Sequence, residues 1–132
     1  MTDIVNLIKS LPNMLPLQPA TEIQIKDAEL QLRNGFSDEY KAYLAAFGAV
    51  MADGIELTGI AKADHRNVVS LTKQERKLNP KVPLTMYVVE NTCVDGAIIW
   101  QDTNGAVYQT RPHTAPAKIA DSLAEYLGTQ RQ

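Results

Sequence analysis

Few side chains in this chain are of a type that could do chemistry. There are two histidines, His65 and His113, one cysteine, Cys93, and a scatter of carboxylates, of which Glu90, Asp95 and Asp102 fall close together in the C-terminal half. A general base or a metal site needs such groups converging, but the histidines stand far apart in polar connectors, so exposed loop positions are expected for both. A nucleophilic thiol needs a nearby cation to lower its pKa. The neighbours of Cys93 are Thr92, Val94 and Asp95, of which the last opposes ionisation, so an inert, half-buried turn cysteine is expected. Glu90, Asp95 and Asp102 sit at the ends of strand-like runs, where solvated acids are common. If they share one edge of a sheet, they form an acidic surface that steers a basic partner and disfavours wrong ones; if they do not, they are ordinary surface charges. Asp64, in the loop that runs to Asn67, and Arg111, in the basic Arg111-Pro112-His113 rim, complete the candidate contact residues. No Gly-rich phosphate loop, metal-ligand spacing or nucleophile elbow is present in the sequence, so no catalytic residue, metal ligand or cofactor is expected.

The elements that must position these residues follow from periodicity. Ile4, Leu7, Ile8 and Leu11 mark a helix over 3–11, capped by Thr2 or Asp3 and stopped by Pro12. Pro12, Pro16 and Pro19 make the next stretch an extended connector. Thr21 caps a helix over 22–33 whose apolar face is Ile25, Ala28 and Leu32, with Ile23 and Leu30 as further candidates. Ser37 caps the next helix, with Asp38 and Glu39 complementing its dipole. Tyr40, Tyr43, Leu44 and Phe47 line one buried face, and Gly48 ends it.

From Ile55 the period shortens to two, and Ile55 and Leu57 alternate with Glu56 and Thr58 as in a half-buried strand. Residues 68–78 read as a short surface helix closing before Pro80. The runs 84–90, 97–101 and 106–110 read as an antiparallel meander, with Asn104-Gly105 as the sharper turn. Residues 117–127, with Ile119, Ala120, Leu123, Tyr126 and Leu127, read as a closing helix that ends at Gly128. Gly59 reads as a point of close backbone approach or a bulge, so Gly59→Val should damage folding. Trp100 faces the helices if Ile98 does too, and is then core; facing out beside Tyr87 or Tyr108 it would be an interface anchor. Core is the better reading for a lone tryptophan in so small a domain.

The 132 residues fit one domain, 1–132, with its core over about 20–128 and the 3–11 helix as an extension. A net charge of −2 gives no reason to expect nucleic acid. The acidic, periodic N-terminus is neither a basic signal peptide nor a membrane span. With a single cysteine there is no internal disulfide, and a soluble, cytoplasmic protein is expected. The order of elements implies α+β: an antiparallel sheet of about four to six strands, flanked by N-terminal helices and a C-terminal helix and covered on one side.

The series Glu29-x-x-Leu32, Tyr40-Lys41-x-Tyr43-Leu44-x-x-Phe47-Gly48, Gly54-x-x-Leu57-x-Gly59-Ile60, Val68-Val69-x-x-Thr72-x-x-x-Arg76 and Ala120-x-Ser122-Leu123-x-x-Tyr126-Leu127 resembles the SUKH superfamily. That superfamily includes fungal cell-wall-synthesis regulators and bacterial immunity proteins. Two departures stand out: Phe36-Ser37 replaces the Leu-Pro pair that often precedes the aromatic helix, and Asp102-Thr103 runs straight into a tight turn where many members carry a longer loop. The resemblance implies a protein-binding module and no enzyme: an immunity protein that binds a cognate toxin, or a regulatory adaptor for another protein or a small ligand. A homo-oligomer is compatible with either.

Overall fold

The computed structural model describes residues 3–130, so Thr2, one of the two candidate caps, lies outside the described residues. The chain order is α1 (Ile4–Lys9), β1 (Leu15–Pro16), α2 (Glu22–Leu32), α3 (Asp38–Phe47), β2 (Val50–Ala52), β3 (Ile55–Leu57), α4 (Val68–Leu78), β4 (Met86–Asn91), β5 (Ile98–Asp102), β6 (Val107–Thr110), β7 (Ala117–Ala120) and α5 (Leu123–Glu125). A 3-10 turn, Asp64–Arg66, precedes α4, and a π-helical turn, Tyr126–Gln130, prolongs α5. The class is α+β, as the sequence implies. The sheet has seven antiparallel strands in chain order, more than the four to six expected.

The helix caps follow the sequence closely. Asp3 accepts the Val5 N–H at 2.9 Å, Thr21 and Gln24 form a reciprocal capping box, and Ser37 accepts the Tyr40 N–H at 3.0 Å. Each satisfies backbone donors that have no partner inside the helix. Tyr40, Tyr43, Leu44 and Phe47 are all buried, as their spacing requires. In α2, however, Ile23 and Leu30 are 81% and 76% exposed, so only Ile25, Ala28 and Leu32 face the core.

Three strands were not visible in the sequence. The proline-rich connector contains β1, which pairs Leu15 with Met51 and Pro16 with Val50; it is an edge strand, where a residue without an N–H is tolerated. β2 precedes β3 across a turn at Gly54, whose φ is +71°. The expected closing helix over 117–127 is corrected: its first third is β7, paired with β6 through Val107–Ala120, Tyr108–Lys118 and Gln109–Ala117. The apolar spacing suited a helix, but the open edge of β6 offers backbone partners to 117–120. Ser122 then caps a helix that starts only at Leu123, accepting the Glu125 N–H at 3.0 Å.

The sheet is covered on both faces, which corrects the one-sided expectation. One core joins α1, α2, α3 and α5 to Tyr87, Val89, Ile99 and Val107; a second, smaller one joins Leu71 and Val82 to Met86, Val88, Ile98 and Trp100. Trp100 is therefore core, fully buried, with its indole N–H donated to Thr110 Oγ1 at 2.9 Å. α4 spans the expected residues with Lys73, Gln74, Lys77 and Leu78 exposed, while Val68, Val69, Leu71 and Thr72 are buried. It lies along the edge of β4 that the short β3 leaves open, where Thr72 Oγ1 accepts the Val88 N–H at 3.0 Å and Arg76 Nη2 donates to the carbonyls of Leu84 and Met86 at 2.9 and 3.1 Å. Side chains thus replace a missing neighbouring strand, and a strand edge open to unwanted pairing is closed.

Candidate partner-binding surface

Three helices begin at one end of the sheet, and their first turns make a groove of about 1070 Å³. α1 contributes Asp3, Ile4 and Leu7; α3 contributes Ser37, Asp38 and Glu39; the β7–α5 corner contributes Asp121, Ser122, Ala124 and Glu125; Thr103, Asn104 and Gly105 of the β5–β6 turn close it. Five carboxylates line it and no lysine or arginine does. The physical cause is local, because acids in the first turn of a helix offset its dipole and occupy free N–H groups. Three N-termini brought to one place gather those acids, two of which meet lysines just outside the groove: Asp121 pairs with Lys118 at 2.6 Å and Asp38 with Lys41 at 3.9 Å.

Glu39 anchors this end. Its carboxylate accepts the N–H groups of Leu123 and Ala124 at 2.7 and 2.9 Å, and the side-chain amide of Gln101 at 2.8 Å. One side chain of α3 thereby caps α5 and holds β5. Gln101, fully buried, also donates to the Gly105 carbonyl at 3.0 Å and accepts from Tyr87 at 2.8 Å. The Tyr87 hydroxyl in turn accepts the Ser37 N–H at 3.0 Å. Burial pushes the Tyr87, Tyr40 and Tyr43 phenols far above their ordinary pKa, so they remain neutral hydroxyls and the network carries no buried tyrosinate. Glu39→Ala is expected to cost about 2–3 kcal/mol, since it leaves three donors without their charged acceptor; Glu39→Gln, which keeps one acceptor oxygen, should cost less. Urea melts of the two variants measure the difference.

The five contact residues read from the sequence do not form one surface. Glu90 is buried, 2% exposed, and accepts the Tyr126 hydroxyl at 2.7 Å; a bulge between Val88 and Glu90 turns it towards the helical layer. Asp102 lies at the other end of β5, opposite Met86, whereas Glu90 lies opposite Ile99, so the two acids stand roughly 10 Å apart along the strands. The expected acidic sheet edge is therefore absent. Asp102 is occupied in its own turn: Oδ1 accepts the N–H groups of Asn104 and Ala106, and Oδ2 accepts the Tyr108 hydroxyl. Asp95 and Arg111 do meet, at 3.9 Å, beside the β4–β5 turn. Asp64 is apart from all of these, in the 3-10 turn, accepting a hydrogen bond from Ser70 at 3.2 Å.

These placements set what the loss of each acid costs. Charge reversal at Asp102 should lower the melting temperature, by about 1–2 kcal/mol of stability for the lost turn bonds. Reversal at Asp95, an exposed residue in a loose surface pair, should leave it unchanged. Thermal melts of the two single variants check both. The residues missed were Asp3, Asp38, Glu39, Asp121 and Glu125. Asp38 and Glu39 were legible as cap-proximal acids, but no linear signal shows that they meet Asp121 and Glu125.

Of the other reactive groups, Cys93 is exposed rather than half-buried, and both histidines are exposed as expected. Among the described residues no cluster of histidine, cysteine and acid side chains could hold a metal ion. Among the same residues, no helix is long and apolar enough to cross a membrane.

No curated protein matches the chain in sequence. A family model, SUKH_5, described as SMI1-KNR4 cell-wall, matches residues 1–130, nearly the whole of the chain. The match takes in the aromatic face of α3, the edge-closing α4 and the meander alike, and the chain belongs to the SMI1-KNR4 cell-wall family, SUKH_5.

Proposed function

We propose that this protein is a binding module without catalytic activity, acting inside the cell as an immunity protein that neutralises a cognate toxin by stoichiometric contact. The observation that carries this reading is the groove at the shared helix N-termini, lined by Asp3, Asp38, Glu39, Asp121 and Glu125 with no cation among its lining residues. A surface of this kind suits a basic partner face, for example the substrate-binding cleft of an enzyme that acts on nucleic acid, because opposite potentials raise the encounter rate and oppose wrong partners. Glu39 is committed to the fold, so Asp38 and Asp121, on the rim, are the contact acids, exchanging their exposed pairs with Lys41 and Lys118 for the partner's cations; Asp64, Asp95 and Arg111 are peripheral contacts.

The test is to co-express the chain with the product of a neighbouring reading frame that is toxic by itself, then measure growth and co-purification. Rescue with a one-to-one complex is expected. Asp38→Lys/Asp121→Lys should slow association by at least tenfold and leave the fold intact. If the double reversal binds as the wild type does, the groove is not the contact surface; if no adjacent product binds at all, the immunity reading fails. The cell-wall wording of the family description favours the second reading, a regulatory adaptor for another protein. Under that reading, capture from the native host returns a host protein with no toxic activity.

A further inference from the structure

The outer face of α2 carries an apolar pair that nothing in the fold covers. Ile23 and Leu30, seven positions apart, differ by only about 20° in heading around the helix and stand about 10 Å apart along it, while Ile25, Ala28 and Leu32 face the core on the opposite side. Beside this pair runs a column of charge, Glu22, Lys26, Glu29 and Arg33, spaced by four, three and four residues and alternating in sign.

That column complements itself when reversed. We infer that α2 is a self-association surface, on which a second copy of this chain docks antiparallel across a two-fold axis. In an antiparallel pair each flank meets the same flank of its partner with the direction reversed. Glu22 then faces Arg33 of the second copy, and Lys26 faces Glu29 of the second copy, each twice. The same register sets Ile23 of the second copy opposite position 32. It falls there into the shallow groove of about 530 Å³ formed by Leu30, Asn34 and Gly35 with Lys26, Glu29 and Arg33. A parallel pair brings no such match.

Intrachain contacts keep the pair weak. Lys26 already bridges to Glu22 at 3.3 Å, and one oxygen of Glu29 accepts the Phe36 N–H at 2.7 Å. On the other flank Asp27, which accepts a hydrogen bond from Gln31 at 2.7 Å, faces its own copy. One short helix pair is also smaller than a standard stable interface. The dimer is therefore concentration-dependent, with a dissociation constant in the micromolar to millimolar range.

Sedimentation equilibrium over that range tests it, under reducing conditions because exposed Cys93 can form an artefactual disulfide. The expected result is a monomer–dimer equilibrium. Leu30→Glu weakens it by at least tenfold with an unchanged melting temperature. Glu22→Arg weakens it too, and Glu22→Arg/Arg33→Glu restores it. A protein that stays monomeric at millimolar concentration, a dimer indifferent to Leu30→Glu, or a charge swap that fails to restore association each overturns the inference.

Discussion

Gly59→Val is expected to leave the protein unfolded, and even Gly59→Ala to be severely destabilised. A Cβ at Gly59 would stand 1.8 Å from the carbonyl oxygen of Gly48 and 2.9 Å from the Ala49 Cβ. The first is a backbone atom, and it is held where it is because it accepts the Ile60 N–H at 2.9 Å. Gly59 itself donates to Arg66 and accepts from Val68, at 2.9 Å each, so neither side of the contact has room to retreat. Gly48 carries a second constraint: its φ is +74°, and a Cβ there would lie 2.1 Å from the Gln18 carbonyl oxygen. The pair joins the end of α3, the β1 connector and the start of the α4 loop at one crossing. Relief requires moving that crossing, and the expected loss is comparable with the whole stability of a small domain, about 5–15 kcal/mol. Circular dichroism and solubility on expression check it. A cooperatively folded Gly59→Ala of near wild-type melting temperature would refute the close approach.

Trp100→Ala should cost about 3–5 kcal/mol, the usual range for emptying a large aromatic site in a core. The tryptophan is the largest member of a cluster with only five other buried residues, Leu71, Val82, Met86, Val88 and Ile98, so little surrounds the void that could collapse into it. The Thr110 hydroxyl also loses its indole donor. A melting temperature lower by roughly 10–20 °C is expected. Trp100→Phe keeps most of the volume and should fall between wild type and alanine. Since this is the chain's one tryptophan, the melts are followed by circular dichroism. A loss below about 1 kcal/mol would mean that α4 and the sheet do not close over this face as described.

Much of this fold was legible because local physics decides it. Asp3, Thr21 and Ser37 each sit where a free helix N–H needs an acceptor, and Tyr40, Tyr43, Leu44 and Phe47 repeat at the spacing of one helix face. The meander was legible from alternation and the Asn104-Gly105 turn. β7 was not, because Ile119, Ala120, Leu123, Tyr126 and Leu127 fit a helix equally well and the open edge of β6 decides between the two. β1 was hidden by prolines that an edge strand tolerates. Glu90 read as a solvated acid because neither the bulge beside it nor Tyr126, 36 residues away, leaves a local trace.

For the same reason the candidate surface changed. The acids close in sequence, Glu90, Asp95 and Asp102, are separated by strand length, burial and turn bonding. The acids far apart in sequence, Asp3, Asp38 and Glu39, Asp121 and Glu125, are gathered by three helices that start at one end of the sheet. The sequence by itself determined the class of fold, the family and most helix boundaries, because caps and periodicity are short-range constraints written in neighbouring residues. Only the tertiary structure decided which acids share a surface, which face of α2 stays bare and where Trp100 points, because those depend on which edges and faces distant segments cover.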